Sequence, residues 1–138
     1  MNPLAFPSLQ TSLTVLRVVT PLLFMAHAVV RIVNYTIPGF AEFLGARGFP
    51  QPLLVVWAIT LVELVAGTLM ILGIQVRAAA LGLASIAFGG IVIIHAKLGW
   101  FVGEHGTGGS EYSVCLLLCL LVIAAAADPA RQRTEQSA

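Results

Sequence analysis

The sequence predicts an all-α integral membrane protein, an antiparallel four-helix bundle with a short interfacial segment between helices 1 and 2. Hydrophobic residues make up 59% of the 138 residues and charged residues only 9%, whereas soluble domains carry roughly 25% charged residues. The mean hydropathy is +0.98, and the apolar residues are grouped in blocks. Composition and grouping together argue against a soluble domain.

Four apolar segments meet or approach the roughly 20 residues that a spanning helix needs. We predict these spans at 12–33, 52–72, 78–97 and 111–127. The fourth is the shortest, so it needs its flanking residues to complete a crossing. Residues 128–138 are predicted to form a polar tail, and residues 1–138 a single domain.

Short connections limit how the helices are arranged. The second and third spans are joined by only "GIQVR", so they are expected to be antiparallel neighbours. In the link between the first two spans, Phe40, Phe43 and Leu44 fall on one side of a short helix, with Glu42 and Arg47 elsewhere. This pattern favours a segment lying in the membrane interface. A plain loop with two aromatic residues is the alternative.

The basic residues indicate an orientation, since cytoplasmic ends carry an excess of Lys and Arg. With four crossings, both termini lie on one side of the membrane. The terminal side holds Arg17, Arg77, Arg131 and Arg133, and the opposite side holds Arg31, Arg47 and Lys97. This excess predicts cytoplasmic termini in a multi-pass protein of the cytoplasmic membrane. The net charge of +1, without a basic stripe, argues against a nucleic-acid partner.

Three residues are assigned catalytic roles. Glu63 lies midway through the second span, too deep for its carboxylate to reach water, which makes it a candidate buried acid. His27 and His95 are candidate proton donors or acceptors. A purely structural ion pair would satisfy the same physics for Glu63, and the histidines are equally well explained as hydrogen-bonded interior residues.

An antiparallel order brings most of the other polar residues to one end of the bundle. The residues predicted to bind a ligand or partner are Arg31, Lys97, Trp100, Glu111 and Tyr112 at that end, and Arg17 at the other end of the first span. Arg31 or Lys97 can neutralise Glu63 or Glu111, which is cheaper than leaving a charge alone in low dielectric. Snorkelling to water explains Lys97 equally well, the helix dipole explains Glu111, and a membrane aromatic belt explains the two aromatic residues.

The remaining sequence patterns give weaker indications of a functional site. Gly82, Ser85 and Gly89 share one side of the third span and predict close helix packing there. Glu104 and His105 are expected in a solvated turn. The sequence has no metal-ligand, flavin or haem motif, so no metal is predicted and the cofactor is unknown, with a quinone as the candidate.

Several of these stretches resemble the DoxX family of small four-helix bacterial membrane proteins, over nearly the whole chain from Leu16 to Ala127. The similar stretches are "H-x-x-x-R" at His27 and Arg31, "LGARGFP", "ELVAGTLMILGIQVRAAALGLA", "HAKLGWF" and "GGSEY". The ending "AAAADPA" departs from the family's glycine-rich ending. The resemblance implies a bacterial cytoplasmic-membrane protein. The family name derives from a membrane subunit associated with thiosulfate:quinone oxidoreduction, and other members are associated with oxidative-stress complexes.

Three hypotheses for function follow. The leading one is a membrane subunit of a redox system that binds a quinone or similar lipophile, with Arg31 as the counter-charge, Trp100 and Tyr112 at the rim, and a partner subunit for electron transfer. The second is a non-catalytic membrane adaptor or assembly factor. The third is an acid/base enzyme, such as an isomerase or cyclase, on a lipophilic substrate. Membrane lipids are expected partners, and a homo-oligomer is left open.

Overall fold

The computed structural model of the protein describes residues 7–101 and 109–127. These residues form helices and connections, with no strand among them. The helices are α1 (Leu9–Val33), α2 (Ile37–Gly45), α3 (Pro52–Leu72), α4 (Val76–Ile93), a 3₁₀ turn (His95–Lys97) and α5 (Ser110–Ala126). The predicted tail and the turn with Glu104 and His105 lie outside the described residues.

The helix boundaries follow local chemistry. The Ser8 hydroxyl accepts a hydrogen bond from the Thr11 amide at 3.1 Å and so caps the start of α1. Pro52 occupies the first turn of α3, where its missing N–H leaves no helical bond unmade. Gly73 ends α3 with φ of 74°, a left-handed conformation that glycine adopts without a Cβ clash.

Three helices of the described chain are long and apolar enough to cross a membrane, namely α1, α3 and α4. This confirms a multi-pass membrane protein. The fourth predicted span corresponds to α5, which is apolar but has 17 residues. The third predicted span ends earlier than expected, because α4 stops at Ile93 and His95 and Lys97 belong to the separate 3₁₀ turn.

The long helices pack around one apolar core. Helix α1 contacts α3 and α5, and α4 contacts α3 and α5. The largest side chains of this core are Phe24, Met70, Leu83, Leu116, Leu120 and Ile123. Helix α4 contributes mainly alanines, of which Ala80 is fully buried, so it can approach α5 closely.

The small-residue side of α4 differs from the sequence expectation. Ser85 is exposed, and a Cβ placed on Gly89 would have open space around it. The alanine face, with Ala80 and Ala84, packs in the core instead. Of the three predicted residues only Gly82 lies against a neighbouring helix, since a Cβ there would be 3.9 Å from Cγ1 of Val62 in α3. The expectation was wrong for Ser85 and Gly89, because alanine is also small and its burial leaves no hydroxyl to satisfy.

The helix ends meet in two groups. One group contains the start of α1, the turn between α3 and α4, and the end of α5, and we call it the terminal end of the bundle. These segments line one cavity. At the loop end, Arg31 of α1 reaches Glu63 of α3, and Ile93 of α4 packs against a cluster formed by α2 and α3. The backbone amides of Ser110 and Glu111 donate to the carbonyls that follow the 3₁₀ turn, which holds the start of α5 at this end.

Helix α2 is packed onto the bundle at the loop end. Ile37, Ala41 and Leu44 of α2 are buried together with Val56 of α3. The predicted interfacial segment is therefore a helix, and its apolar side covers the start of α3.

Candidate functional site

The site is built on an ion pair between α1 and α3. The Arg31 guanidinium donates from Nη1 to Glu63 Oε2 at 2.8 Å and from Nη2 to Glu63 Oε1 at 3.5 Å. The Glu63 side chain is 5% exposed and that of Arg31 is 14% exposed. A carboxylate this deep needs a compensating charge, and Arg31 supplies it, one of the two cations that the sequence analysis offered as partners.

Thr60 completes the network around the pair. Its Oγ1 accepts from Arg31 Nη1 at 2.7 Å and donates to the Val56 carbonyl at 2.8 Å. Thr60 is fully buried and lies one helical turn before Glu63, so both side chains project from the same side of α3. The network therefore fixes the guanidinium in position.

Aromatic residues of α2 cover the other side of the guanidinium. The Arg31 Cζ lies 5.4 Å from the centroid of the Phe40 ring, within cation–π range. The Phe40 ring in turn contacts Phe43, over which Arg47 stacks at 3.7 Å. Helix α2 thus forms a wall of the site, where the sequence had indicated only a segment at the interface.

A cavity of about 590 Å³ opens beside Arg31, a volume typical of sites for small organic ligands. Its walls combine aromatic, apolar and hydrogen-bonding groups from the end of α1, the following turn and α2. The lining residues are His27, Val30, Arg31, Tyr35, Thr36, Gly39 and Phe40.

Tyr35 lies at this cavity in an unfavourable backbone conformation. Its φ is 55°, and its amide donates to the Ile32 carbonyl while the Thr36 amide donates to the Arg31 carbonyl. This is the Schellman arrangement, which normally has glycine at the left-handed position, as Gly73 does at the end of α3. A tyrosine there stores roughly 1–2 kcal/mol of strain, and strain of this kind concentrates at functional sites.

Tyr35 can be tested by two substitutions. We expect Tyr35→Gly to have a free energy of unfolding about 1 kcal/mol higher than Tyr35→Ala, because only glycine relieves the left-handed strain. The side chain is 87% exposed, so neither variant loses core contacts. The measurement is denaturant unfolding in detergent micelles. At a residue with ordinary φ, glycine would be the less stable of the two, and that order would contradict the conformation.

The two candidate histidines lie near each other but differ in environment. His27 is exposed and lines the cavity, whereas His95 follows α4 in the 3₁₀ turn. Burial lowers the pKa of the His95 imidazole, and the charge of His27 lowers it further. The buried Nδ1 of His95 has no hydrogen-bond partner among the described residues. His95 therefore favours the neutral form, and only His27 faces the cavity.

The remaining predicted residues do not line this cavity. Lys97, Trp100 and Tyr112 are exposed, and Glu111 lies in the first turn of α5. Arg17 lies at the terminal end, where it lines a different cavity. The structure thus brings together Arg31, Glu63 and His27 of the nine predicted site residues.

The sequence analysis gave no site role to Thr60, Phe40 or Tyr35. A signal existed for Thr60, because it precedes Glu63 by three residues, which is helical spacing. Phe40 was predicted on the apolar side of a short helix, without its contact to the guanidinium. No group of metal-ligating side chains occurs in the part of the chain that the structure describes.

One comparison with known proteins identifies a family. The DoxX family model matches residues 12–96, which is more than half of the chain and contains the ion pair and the cavity beside it. The match ends before Trp100, Glu111 and Tyr112. No curated protein and no solved structure matches the chain.

Proposed function

We propose that this chain, which belongs to the DoxX family, binds a neutral lipophile with carbonyl oxygens, such as a quinone, in the cavity beside Arg31. The observation that supports this most is that the Arg31 guanidinium is held by Glu63 and Thr60 while lining that cavity. In this proposal the chain is the membrane subunit of a redox system, and a partner subunit exchanges electrons with the quinone.

The proposed setting is an antiparallel four-helix bundle in the cytoplasmic membrane. Helix α5 has 17 residues and so a length of about 26 Å, a little less than the roughly 30 Å hydrocarbon core. Its flanking residues would complete the crossing. We keep the predicted cytoplasmic termini as part of the proposal.

The hydrogen-bonding capacity of Arg31 supports a carbonyl ligand. A guanidinium has five N–H donors, of which the network with Glu63 and Thr60 uses three. Donors therefore remain on a group whose position is already fixed. Such preorganised donors bind a carbonyl oxygen with little loss of side-chain entropy.

The charge of the site favours a neutral ligand. Glu63 neutralises Arg31, so the pair has hydrogen-bond donors but no net charge. An anion would gain little there, whereas a quinone carbonyl needs only a donor. Phe40 offers an aromatic wall for a flat ring, and His27 at the same cavity can donate or accept a proton.

The proposal is tested by titrating the purified protein in detergent with a short-chain quinone. We expect Arg31→Lys to weaken binding about tenfold, because lysine keeps the charge beside Glu63 but loses the planar set of donors. Arg47→Lys is the matched control, since Arg47 stacks over Phe43 outside the cavity. An alkylbenzene of equal chain length controls for plain lipophilicity.

Equal quinone affinity of the wild-type protein and the Arg31→Lys variant would refute the proposal. So would an alkylbenzene that binds as tightly as the quinone, because carbonyl recognition would then contribute nothing.

A non-catalytic adaptor or assembly factor is the second candidate function. It is favoured by the network itself, in which both Glu63 carboxylate oxygens and the Thr60 hydroxyl have hydrogen-bond partners without a ligand. In that case the pair is structural, and its loss should reduce folding and recovery of a partner protein together. A folded Arg31→Lys variant that retains its partner but loses quinone binding would exclude the adaptor role as the sole function.

A further inference from the structure

A second, larger cavity lies at the terminal end, away from the Arg31 site. Its volume is about 1240 Å³, and α1, α4 and α5 all contribute to its walls. Arg17 of α1 lines this cavity, 14 residues before Arg31 on the same helix, which corresponds to about 21 Å along the helix axis. The proposed quinone site includes neither Arg17 nor this cavity.

The two arginines of α1 differ in their partners. Arg31 has the Glu63 carboxylate, whereas no described residue forms an ion pair with Arg17, and its buried Nε has no hydrogen-bond partner among them. The Arg17 guanidinium instead lies against Gly73, with Nη1 3.0 Å from the position that a Cβ there would take. A partly buried cation without a counter-charge is unfavourable, so an anion at this place would stabilise the protein.

The start of α4 faces the same cavity. Gln75, Arg77 and Ala78 line it, and no side chain caps the first turn of the helix. Amides at a helix start point outward and attract anions. Arg77 lines the cavity as well, and none of the described acidic residues does. The cavity therefore offers the Arg17 guanidinium from α1 and N–H groups from the start of α4.

Most of the remaining lining residues are apolar, among them Leu13, Leu81 and Ile123, and Gln10 and Thr14 of α1 are the polar ones. We propose that this cavity binds a phosphate group between Arg17 and the start of α4. The apolar wall is suited to the acyl chain of a phospholipid, and free phosphate is the other source of the same group. In contrast to the neutral Arg31 site, this site selects for negative charge.

The test measures lipid binding to the full chain in detergent by native mass spectrometry and by the shift of the unfolding midpoint. The probes are phosphatidylglycerol, the diacylglycerol with the same chains, and inorganic phosphate. We expect phosphatidylglycerol to bind and to stabilise the protein, and Arg17→Gln to weaken its binding about fivefold. Arg47→Gln, which removes one positive charge outside the cavity, should leave the affinity unchanged.

The stability of the lipid-free protein distinguishes a lipid-binding role of Arg17 from a structural role. Because Arg17 has no described acidic partner, Arg17→Gln without lipid should be at least as stable as the wild-type protein. Stabilisation by inorganic phosphate alone would identify free phosphate as the source, and stabilisation only by the phospholipid would identify the lipid. Both outcomes support the site.

Three results would overturn the proposal. The first is equal binding of phosphatidylglycerol and diacylglycerol together with no stabilisation by inorganic phosphate. The second is a loss of affinity in Arg47→Gln as large as in Arg17→Gln. The third concerns Asp128, which follows the lining residue Ala127 in the sequence. If Asp128→Asn and Arg17→Gln destabilise the lipid-free protein equally and non-additively, the counter-charge of Arg17 is the chain's own carboxylate.

Discussion

Replacing Glu63 by leucine should lower the free energy of unfolding by about 3 kcal/mol, the largest effect that we expect from one substitution. The change leaves Arg31, whose side chain is only 14% exposed, without its counter-charge, and breaking a buried pair from one side costs roughly 3–5 kcal/mol. We place the effect at the lower end because Arg31 lies near the end of α1 and can extend toward water. Denaturant unfolding in detergent micelles gives the value.

The double variant Arg31→Met/Glu63→Leu is the control for this prediction. It removes both charges, and Thr60 keeps its hydrogen bond to the Val56 carbonyl. The Thr60 hydroxyl is therefore not left as a buried donor without an acceptor. Its free energy of unfolding should lie within about 1 kcal/mol of the wild-type value, since apolar replacement of a buried pair is often neutral. A double variant as unstable as the sum of the single variants would show that the two residues are not coupled.

The second large effect concerns the contact between α1 and α3. A Cβ placed on Gly67 would lie 2.6 Å from Cγ and 2.8 Å from Sδ of Met25, with the Pro21 ring 3.6 Å away. Gly67→Val should therefore lower the free energy of unfolding by about 1–3 kcal/mol through overpacking. The same unfolding measurement applies.

Gly89→Val is the matched control for Gly67→Val. Both glycines lie inside apolar helices, so valine has a similar intrinsic helix propensity at the two sites, but a Cβ on Gly89 meets no atom within 4 Å. We expect a change of less than about 0.5 kcal/mol at Gly89. Equal destabilisation at both positions would contradict the close approach of α1 and α3 at Gly67.

Much of the helical architecture could be predicted because the membrane simplifies the problem. A spanning segment must be a long apolar helix, and α1 and α3 contain or match the predicted spans. The boundary of α4 was harder, since apolar residues continue through Ile94 while the helix stops at Ile93. Hydropathy measures how apolar a segment is, and it does not show where the backbone leaves the helix.

Helix faces were less predictable than helix positions. In lipid an exposed leucine carries no penalty, so the apolar pattern does not mark the buried side as it does in water. Leu81 and Phe88 of α4 are exposed while Ala80 and Leu83 are buried. The close packing predicted at Ser85 and Gly89 was therefore wrong, although the helix itself was predicted.

The residues of the candidate site whose positions follow from electrostatics could be predicted, whereas those whose positions depend on tertiary geometry could not. Glu63 and Arg31 stand out in sequence because a charge inside a span requires a partner. The contact of Phe40 with the guanidinium and the left-handed turn at Tyr35 depend on how α2 folds back, which local sequence does not specify. Lys97 and Tyr112 were grouped with the site by depth alone, and depth does not tell which side of a helix a residue faces.

The central claim is that the Arg31 guanidinium, fixed by Glu63, binds the carbonyl oxygen of a lipophilic ligand. The most direct test is the affinity of the folded Arg31→Met/Glu63→Leu variant for a short-chain quinone, measured beside its free energy of unfolding. We predict a variant as stable as the wild-type protein whose quinone binding is weakened at least tenfold. A variant of unchanged stability and unchanged quinone affinity would contradict the claim and leave the ion pair with a purely structural role.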